Sequence, residues 1–514
     1  MQRLDILFII PMNMPDFAGD NVKDAIEPPA KARFIASYLM RRGISVHLID
    51  ANVTGQTPEQ IAEEVRALNP RLVWIAVYGF NPSASPQTMP SARLFAWAIK
   101  NVLPNIPIIF SGTHPAALPE ETLLQEPIDF VCPGEGPITA HELLEALKAG
   151  GDIRKVRSLW YRENGGAAFT MPAPLIDLNQ EPVSQEAWRL MDPRWYRAHP
   201  WHEFYQNMKN RGAYANPYSR EGCPFHCDFC NIQAPYRDGE LLQVKQNRNS
   251  YRELSPELFV DELAFLAEEF GVRSIKIPDE MFGLGKHPLR IATLIKERFG
   301  DYFNIWCYYR VDTCRPEELE LLRSAGFRWI ALGIESANST VRSGQDKGFS
   351  DDKVYQVVQK LYAAGIEGAL NYIFGLPGDT IETMQATLDM ADALNSVYGN
   401  FYCTQALPGS ELHRQARASG YPLPEREGGP GWSGYAQYSH DSEPYYTGTE
   451  LTPAAILDFR DKAHRHYYSR LAYREMLRQK DHCGQPALDS IEQWMAAIAP
   501  DKLTRRLLGH ERPV

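Results

Sequence analysis

The chain has 514 residues, a formal net charge of −11, 44% hydrophobic and 23% charged residues. That balance predicts a globular protein of about three domains and excludes an intrinsically disordered one. It also argues against a broad nucleic-acid-binding surface, which needs clustered basic charge.

In chain order, the first 150 residues alternate short β-rich runs with helical ones. Strands are predicted over 4–10, 45–49, 72–78, 106–111 and 129–132, and helices over 30–42, 58–68 and 91–102. Such alternation implies a parallel sheet covered by helices, with ligands bound at the carboxyl ends of the strands. The opening apolar run is too short for a signal peptide, with Asp5 before it and Pro11 ending it. No stretch approaches the roughly 20 apolar residues that span a bilayer. Residues 151–215 are Pro- and aromatic-rich and read as a linker. A second series follows, with strands over 215–219, 274–278, 304–309, 329–333, 368–374 and 400–405 and helices over 256–270, 288–298, 316–325 and 352–364. The stretch 425–449 reads as a loop, and helices over 453–477 and 488–508 close the chain.

Eight cysteines stand at 132, 223, 227, 230, 307, 314, 403 and 483. They are too sparse for a secreted disulfide framework, so a reducing, cytoplasmic setting is expected. Three of them sit in Cys223-Pro224-Phe225-His226-Cys227-Asp228-Phe229-Cys230. Three thiolates on one loop can reach three irons of a cubane and leave the fourth iron open to a ligand. Zinc is the competing reading, but structural zinc takes four ligands, usually as two separated pairs. His226 is awkward as a fourth ligand beside Cys227. Chance clustering of buried cysteines is the remaining alternative.

The Cys-x-x-x-Cys-x-x-Cys spacing, with Phe229 before the last cysteine, resembles the radical S-adenosylmethionine (SAM) superfamily. Gly333-Ile334-Glu335-Ser336 and Gly375-Leu376-Pro377-Gly378 resemble its SAM-binding segments. Pro278-Asp279-Glu280, Arg310-Val311-Asp312 and Ala406-Leu407-Pro408-Gly409-Ser410 resemble further core segments, in the family order. The resemblance implies a [4Fe-4S] cluster on Cys223, Cys227 and Cys230. It implies SAM contacts from Phe229, Glu280, Arg310, Glu335, Ser336, Gly375 and Pro377. Read without it, Glu335 could cap a helix, Gly375 and Gly378 could shape a turn, and Arg310 and Asp312 could form a surface ion pair.

A doubly wound domain ahead of such a core resembles the cobalamin-dependent branch. The loops Ser111-Gly112-Thr113-His114 and Gly134-Glu135-Gly136 match its glycine loops. Cobalamin contacts are therefore expected from Tyr78, Gly79, Ser111, Gly112, Thr113, His114, Glu135 and Gly136. The Asp-x-His-x-x-Gly motif that supplies a cobalt-ligating imidazole is missing. His47, in a predicted strand, lacks that frame and reads as a packed or surface residue. Glycine-rich dinucleotide or P-loop motifs are also missing.

The expected fold is α/β. A doubly wound, Rossmann-like cobalamin-binding domain covers 1–150 and the linker 151–215. A partial (β/α)6 radical SAM barrel covers 216–420 and a helical region 421–514. The resemblance implies a C-methyltransferase acting on a small-molecule substrate with a [4Fe-4S] cluster, SAM and cobalamin. A cyclase or oxidoreductase of the porphyrin-cyclase kind is the alternative, and a non-catalytic iron–sulfur binding or sensing protein a minor one. An electron donor such as flavodoxin or ferredoxin is expected as partner, with no nucleic acid and no membrane span. Tyr435, Tyr438, Tyr445 and Tyr446 could line a pocket, while Arg460, His464, Arg465 and His466 are expected on a solvated helix face.

Overall fold

Five short apolar runs of the first third become buried parallel strands, because helices cover both faces of their sheet. The structure, a computed structural model, describes residues 3–12, 25–79, 81–199, 201–202, 212–237, 250–345, 347–437 and 442–480. The strands are β1 (Ile6–Ile10), β2 (Val46–Asp50), β3 (Leu72–Ala76), β4 (Ile108–Ser111) and β5 (Phe130–Cys132). Their order is β2-β1-β3-β4-β5, a doubly wound arrangement whose switch point lies between β1 and β3. Side chains alternate across it: Leu7 and Ile9 enter one core layer, Ile6 and Phe8 the other.

The sheet continues past residue 150. β6 (Trp160–Glu163) and β7 (Gly166–Phe169) add an antiparallel hairpin to β5, within the stretch expected to be a linker. Asn164 and Gly165, both at positive φ (51° and 81°), make its turn. Trp160 stacks on Phe169 at 4.7 Å.

The second sheet contains β8 (Tyr214–Ala215), then, beyond the short antiparallel pair β9 (Arg220–Glu221) and β10 (Arg252–Glu253), β11 (Ser274–Lys276), β12 (Asn304–Arg310), β13 (Phe327–Glu335), β14 (Glu367–Phe374) and β15 (Tyr398–Cys403). All six are parallel, in the order β15-β14-β13-β12-β11-β8. The end strands do not pair, so this is an open partial barrel. Helices Pro256–Phe270, His287–Phe299, Asp351–Ala363 and Ile381–Leu394 lie in its crossovers.

The helix expected over 453–477 is two, Pro453–Ser469 and Leu471–Gln479. Arg470 breaks it with an extended backbone while its guanidinium bonds Asp392 O at 2.8 Å and Asn395 Oδ1 at 2.9 Å. The solvated face expected there is overturned for Arg460 and His464, each 2% exposed. The first helix packs on β15, so His464 Nε2 meets Phe401 O at 3.0 Å and Arg460 pairs with Asp461. His466 stays exposed, 2.6 Å from Asp392. Tyr438, Cys483 and the helix expected over 488–508 lie outside the described residues. Among the described residues, no helix is long and apolar enough to cross a membrane.

Candidate active site at the barrel mouth and domain interface

The cysteine loop is fixed at both ends. β9 pairs with β10 just before it, and Gly222, at φ 78°, lies so close to the Ser250 backbone that a Cβ would overlap it. Within the loop Cys230 N donates to Cys227 O at 2.9 Å, and beyond it the Gln233 side-chain amide donates to Cys223 O. Cys223, Cys227 and Cys230 are only partly buried and line one cavity of about 330 Å³. Cys132, Cys307, Cys314 and Cys403 are buried. Burial pushes the Cys223 thiol up to about 11 and the Cys230 thiol up to about 12, so binding iron must displace protons. Among the described residues, no three His, Cys, Asp or Glu side chains gather around a single metal point. Three thiols spread on one cavity wall fit the donor set of a multi-iron cluster better than a closed mononuclear site.

Of the SAM candidates, Phe229, Glu280, Arg310 and Glu335 line this cavity. Arg310 lies over the Phe225 ring at 3.8 Å and reaches Cys227 Sγ at 3.7 Å, its fork held by Asp312 at 2.9 Å. Arg310 is 7% exposed while Asp312 is exposed, so the pair is half-buried, with its cation end turned into the cavity. Glu335 is held at φ 68°, where the β13–β14 register shifts, and pairs with buried Lys347. Gly333 makes room for that pair, since a Cβ there would overlap both charged tips. Ser336, Gly375 and Pro377 are not among the lining residues. Ser336 Oγ accepts from Asn338 N at 3.1 Å, and a Cβ on Gly375 would meet Ile456 of the C-terminal helix. Lys347, Asn371 and Tyr402 line the cavity and were not predicted. No local spacing marks them, because each arrives from a separate strand end or loop.

A second cavity, about 480 Å³, opens between the first sheet and the barrel. Tyr78, Gly79, Asn81 and Gln87 face it from the first domain, at the carboxyl end of β3 beside the switch point. Lys276, Trp306, Tyr308, Tyr398 and Asn400 face it from the barrel, and His199 and His202 from the connecting segment. Burial pushes the His202 ring down to about 3, and its Nε2 is bonded to Asn304 O at 2.9 Å.

The remaining cobalamin candidates stand behind this wall. Ser111 Oγ accepts from Trp74 Nε1 at 2.7 Å. Thr113, Glu135 and Tyr78 line a small adjoining cavity. Gly112 (φ 148°) backs onto the Val77 carbonyl and Gly136 (φ 103°) onto Ile35, so their missing Cβ atoms serve chain packing. His114 is buried edge-on against Trp432, ring centroids 4.3 Å apart, and is not among the residues facing the interdomain cavity. His47, on β2, is not among them either.

Buried charge pairs tie the two domains around the cavity. Lys31 pairs with Glu221, Glu27 with Lys276 at 2.5 Å, and Glu135 with Arg252. Arg33 lies over Trp188 at 3.6 Å and donates to Asn216 O at 2.9 Å. Of the C-terminal tyrosines, Tyr435 and Tyr445 line a separate cavity of about 430 Å³, and Tyr446 is bonded to Asp379 O at 2.9 Å.

Comparison with known proteins agrees with this layout. Residues 219–391 match the Radical SAM superfamily, and residues 21–144 match the B12 binding domain. The chain is 27% identical over 421 residues to the uncharacterized methyltransferase PH0819 of Pyrococcus horikoshii, covering 82% of this chain and 84% of that protein. It is 27% identical over 400 residues to the anaerobic magnesium-protoporphyrin IX monomethyl ester cyclase of Rubrivivax gelatinosus, covering 76% and 66%. The fold matches that of TsrM, a radical SAM methyltransferase of Kitasatospora setae solved with cobalamin and a [4Fe-4S] cluster bound. The TM-score is 0.61 at 18% identity, over 82% of this chain and 78% of TsrM. The radical SAM domain implies a [4Fe-4S] cluster and SAM, and the B12-binding domain implies cobalamin. The chain is a radical SAM superfamily enzyme that carries a B12-binding domain ahead of its radical SAM domain.

Proposed function

We propose that this enzyme is a cobalamin-dependent C-methyltransferase acting on an unactivated carbon of a small molecule. The observation that carries this reading is a shared wall: Ile232, Glu280, Tyr308, Ala331, Asn371 and Tyr402 border both the cysteine cavity and the interdomain cavity. A substrate at that junction can face SAM on one side and the B12-binding domain on the other. When bound, the cluster with SAM supplies a 5′-deoxyadenosyl radical and methylcobalamin supplies the methyl group.

The chain's own residues position and shield. Cys223, Cys227 and Cys230 would hold the cluster, with Arg310 bracing the loop through Phe225. Glu335, aligned by Lys347, would meet the polar groups of SAM. Tyr78, Gly79, Asn81 and Gln87 would lie against the corrin, with Ser111, Gly112, Thr113, His114, Glu135 and Gly136 shaping the loops behind them. With His114 turned toward Trp432, the doubly wound domain would hold cobalt without an imidazole from that loop. An external one-electron donor, such as a flavodoxin or ferredoxin, would reduce the cluster.

Cyclisation is the second reading, favoured by the similarity to the Rubrivivax cyclase over 76% of this chain. Methyl-deuterated SAM separates the two. Anaerobically reconstituted enzyme with an extract of a strain lacking the gene should give a product carrying three deuterons, with both 5′-deoxyadenosine and S-adenosylhomocysteine released. An unlabelled product with sustained 5′-deoxyadenosine release would refute methyl transfer and favour cyclisation.

A further inference from the structure

The wall between the two cavities is chemically uneven. Ile232 and Ala331 are apolar, while Glu280, Tyr308, Asn371 and Tyr402 present polar tips. The nearby lysines are engaged, Lys31 with Glu221 and Lys276 with Glu27. The adjacent carboxyls of Asp279 and Glu280 differ. Asp279 accepts from Ser219 N at 2.8 Å and Ser219 Oγ at 2.5 Å, so it is built into the scaffold. Glu280 stands where both cavities meet a third, small one between Lys31, Tyr78 and Glu135. Its Oε2 is buried and has no hydrogen-bond partner among the described residues. Burial pushes this carboxyl well above its ordinary value against the pull of Lys31, while Glu221 and Asp279 push the same way as burial. A buried polar atom left unmatched is costly, and one that stands at a cavity can be matched by a group bound there.

We propose that Glu280 is a substrate-binding residue: it donates a hydrogen bond to a hydroxyl or carbonyl oxygen of a neutral, ring-bearing substrate held at this junction. This rests on the reading of the junction as the substrate position. Ring recognition follows from Tyr308 and Tyr402 in the shared wall, with Trp306 and Tyr398 beside them in the interdomain cavity. Neutrality follows from charge. Lys31 and Lys276 are already paired, with Glu221 and Glu27, so an anion here would be buried without either lysine as a free partner, which is costly.

The test uses the full-length protein and four probes: phenylethanol, benzamide, benzoate and phenyl phosphate, with binding read by ligand-observed NMR. Wild type and Glu280→Gln, which keeps a neutral donor, should bind both neutral probes within about threefold of each other. Glu280→Leu should weaken both neutral probes by about tenfold or more, the loss expected for one buried hydrogen bond. Replacing a buried carboxyl whose Oε2 has no partner with Leu should not lower the unfolding midpoint, so that variant remains a usable control. Neutral probes that do not bind, neutral binding unchanged in Glu280→Leu, or tighter binding of benzoate or phenyl phosphate would each overturn the proposal. The readout needs no turnover, so failure of the methyl-transfer reading shows separately in the deuterium experiment.

Discussion

Arg252→Met tests whether the interdomain charge pairs hold the two domains together. Arg252 meets both oxygens of Glu135, Oε2 at 3.3 Å, and also donates to Ile176 O at 2.6 Å. The side chains are 17% and 8% exposed, so solvent screens the pair weakly. Removing the guanidinium leaves Glu135 with the Ile176 amide, at 2.9 Å, as its donor among the described residues. Breaking one end of a pair this buried costs about 3–5 kcal/mol, whereas replacing both ends with apolar groups costs far less. Arg252→Met should therefore lower the apparent free energy of the first unfolding transition by about that amount. Glu135→Leu with Arg252→Met should recover most of it. The effect should depend on pH. Burial raises the Glu135 carboxyl above its ordinary value and Arg252 pulls it back, so losing Arg252 raises it further. A carboxyl whose folded value lies above its unfolded one folds better protonated. The deficit should then be largest at about pH 8 and shrink toward about pH 5. Urea unfolding of the apo chain, followed by tryptophan fluorescence at both pH values, measures this. A loss under about 1 kcal/mol, typical of a surface pair, or a deficit that grows as pH falls, would refute the reasoning.

The cluster assignment predicts that changing Cys223, Cys227 and Cys230 together to Ala abolishes iron loading and SAM cleavage, measured by iron analysis and 5′-deoxyadenosine release. Single Ala variants of buried Cys307, Cys314 and Cys403 should keep the cluster. Gly333→Ala would drive a Cβ into the Glu335–Lys347 pair and should weaken SAM binding by about tenfold or more in equilibrium dialysis. Unchanged SAM affinity would show that the pair does not meet SAM.

Legibility from sequence tracked how local the cause was. The doubly wound series and the six parallel strands were readable because hydrophobic runs, turns and helix stops are encoded within a few residues. The hairpin β6–β7 carried its own signal, Asn164-Gly165 between two aromatic-containing runs, but the prolines around it pointed to a linker. The burial of Arg460 and His464 could not be read from their helix. Polar residues on one helical row look solvated until a strand such as β15 packs against them.

Residue order and spacing set the chemistry on offer: three thiols close enough for one loop to present, and two series of strand–helix alternation. The neighbours of those groups came from packing. Lys347 reaches Glu335 across a strand end, and His114 turns to Trp432. Asp279 is taken up by Ser219 while neighbouring Glu280 is left facing two cavities. The reason is physical. Backbone patterning depends on contacts a few residues apart, but a side chain's charge state and freedom depend on burial and on partners brought from distant segments.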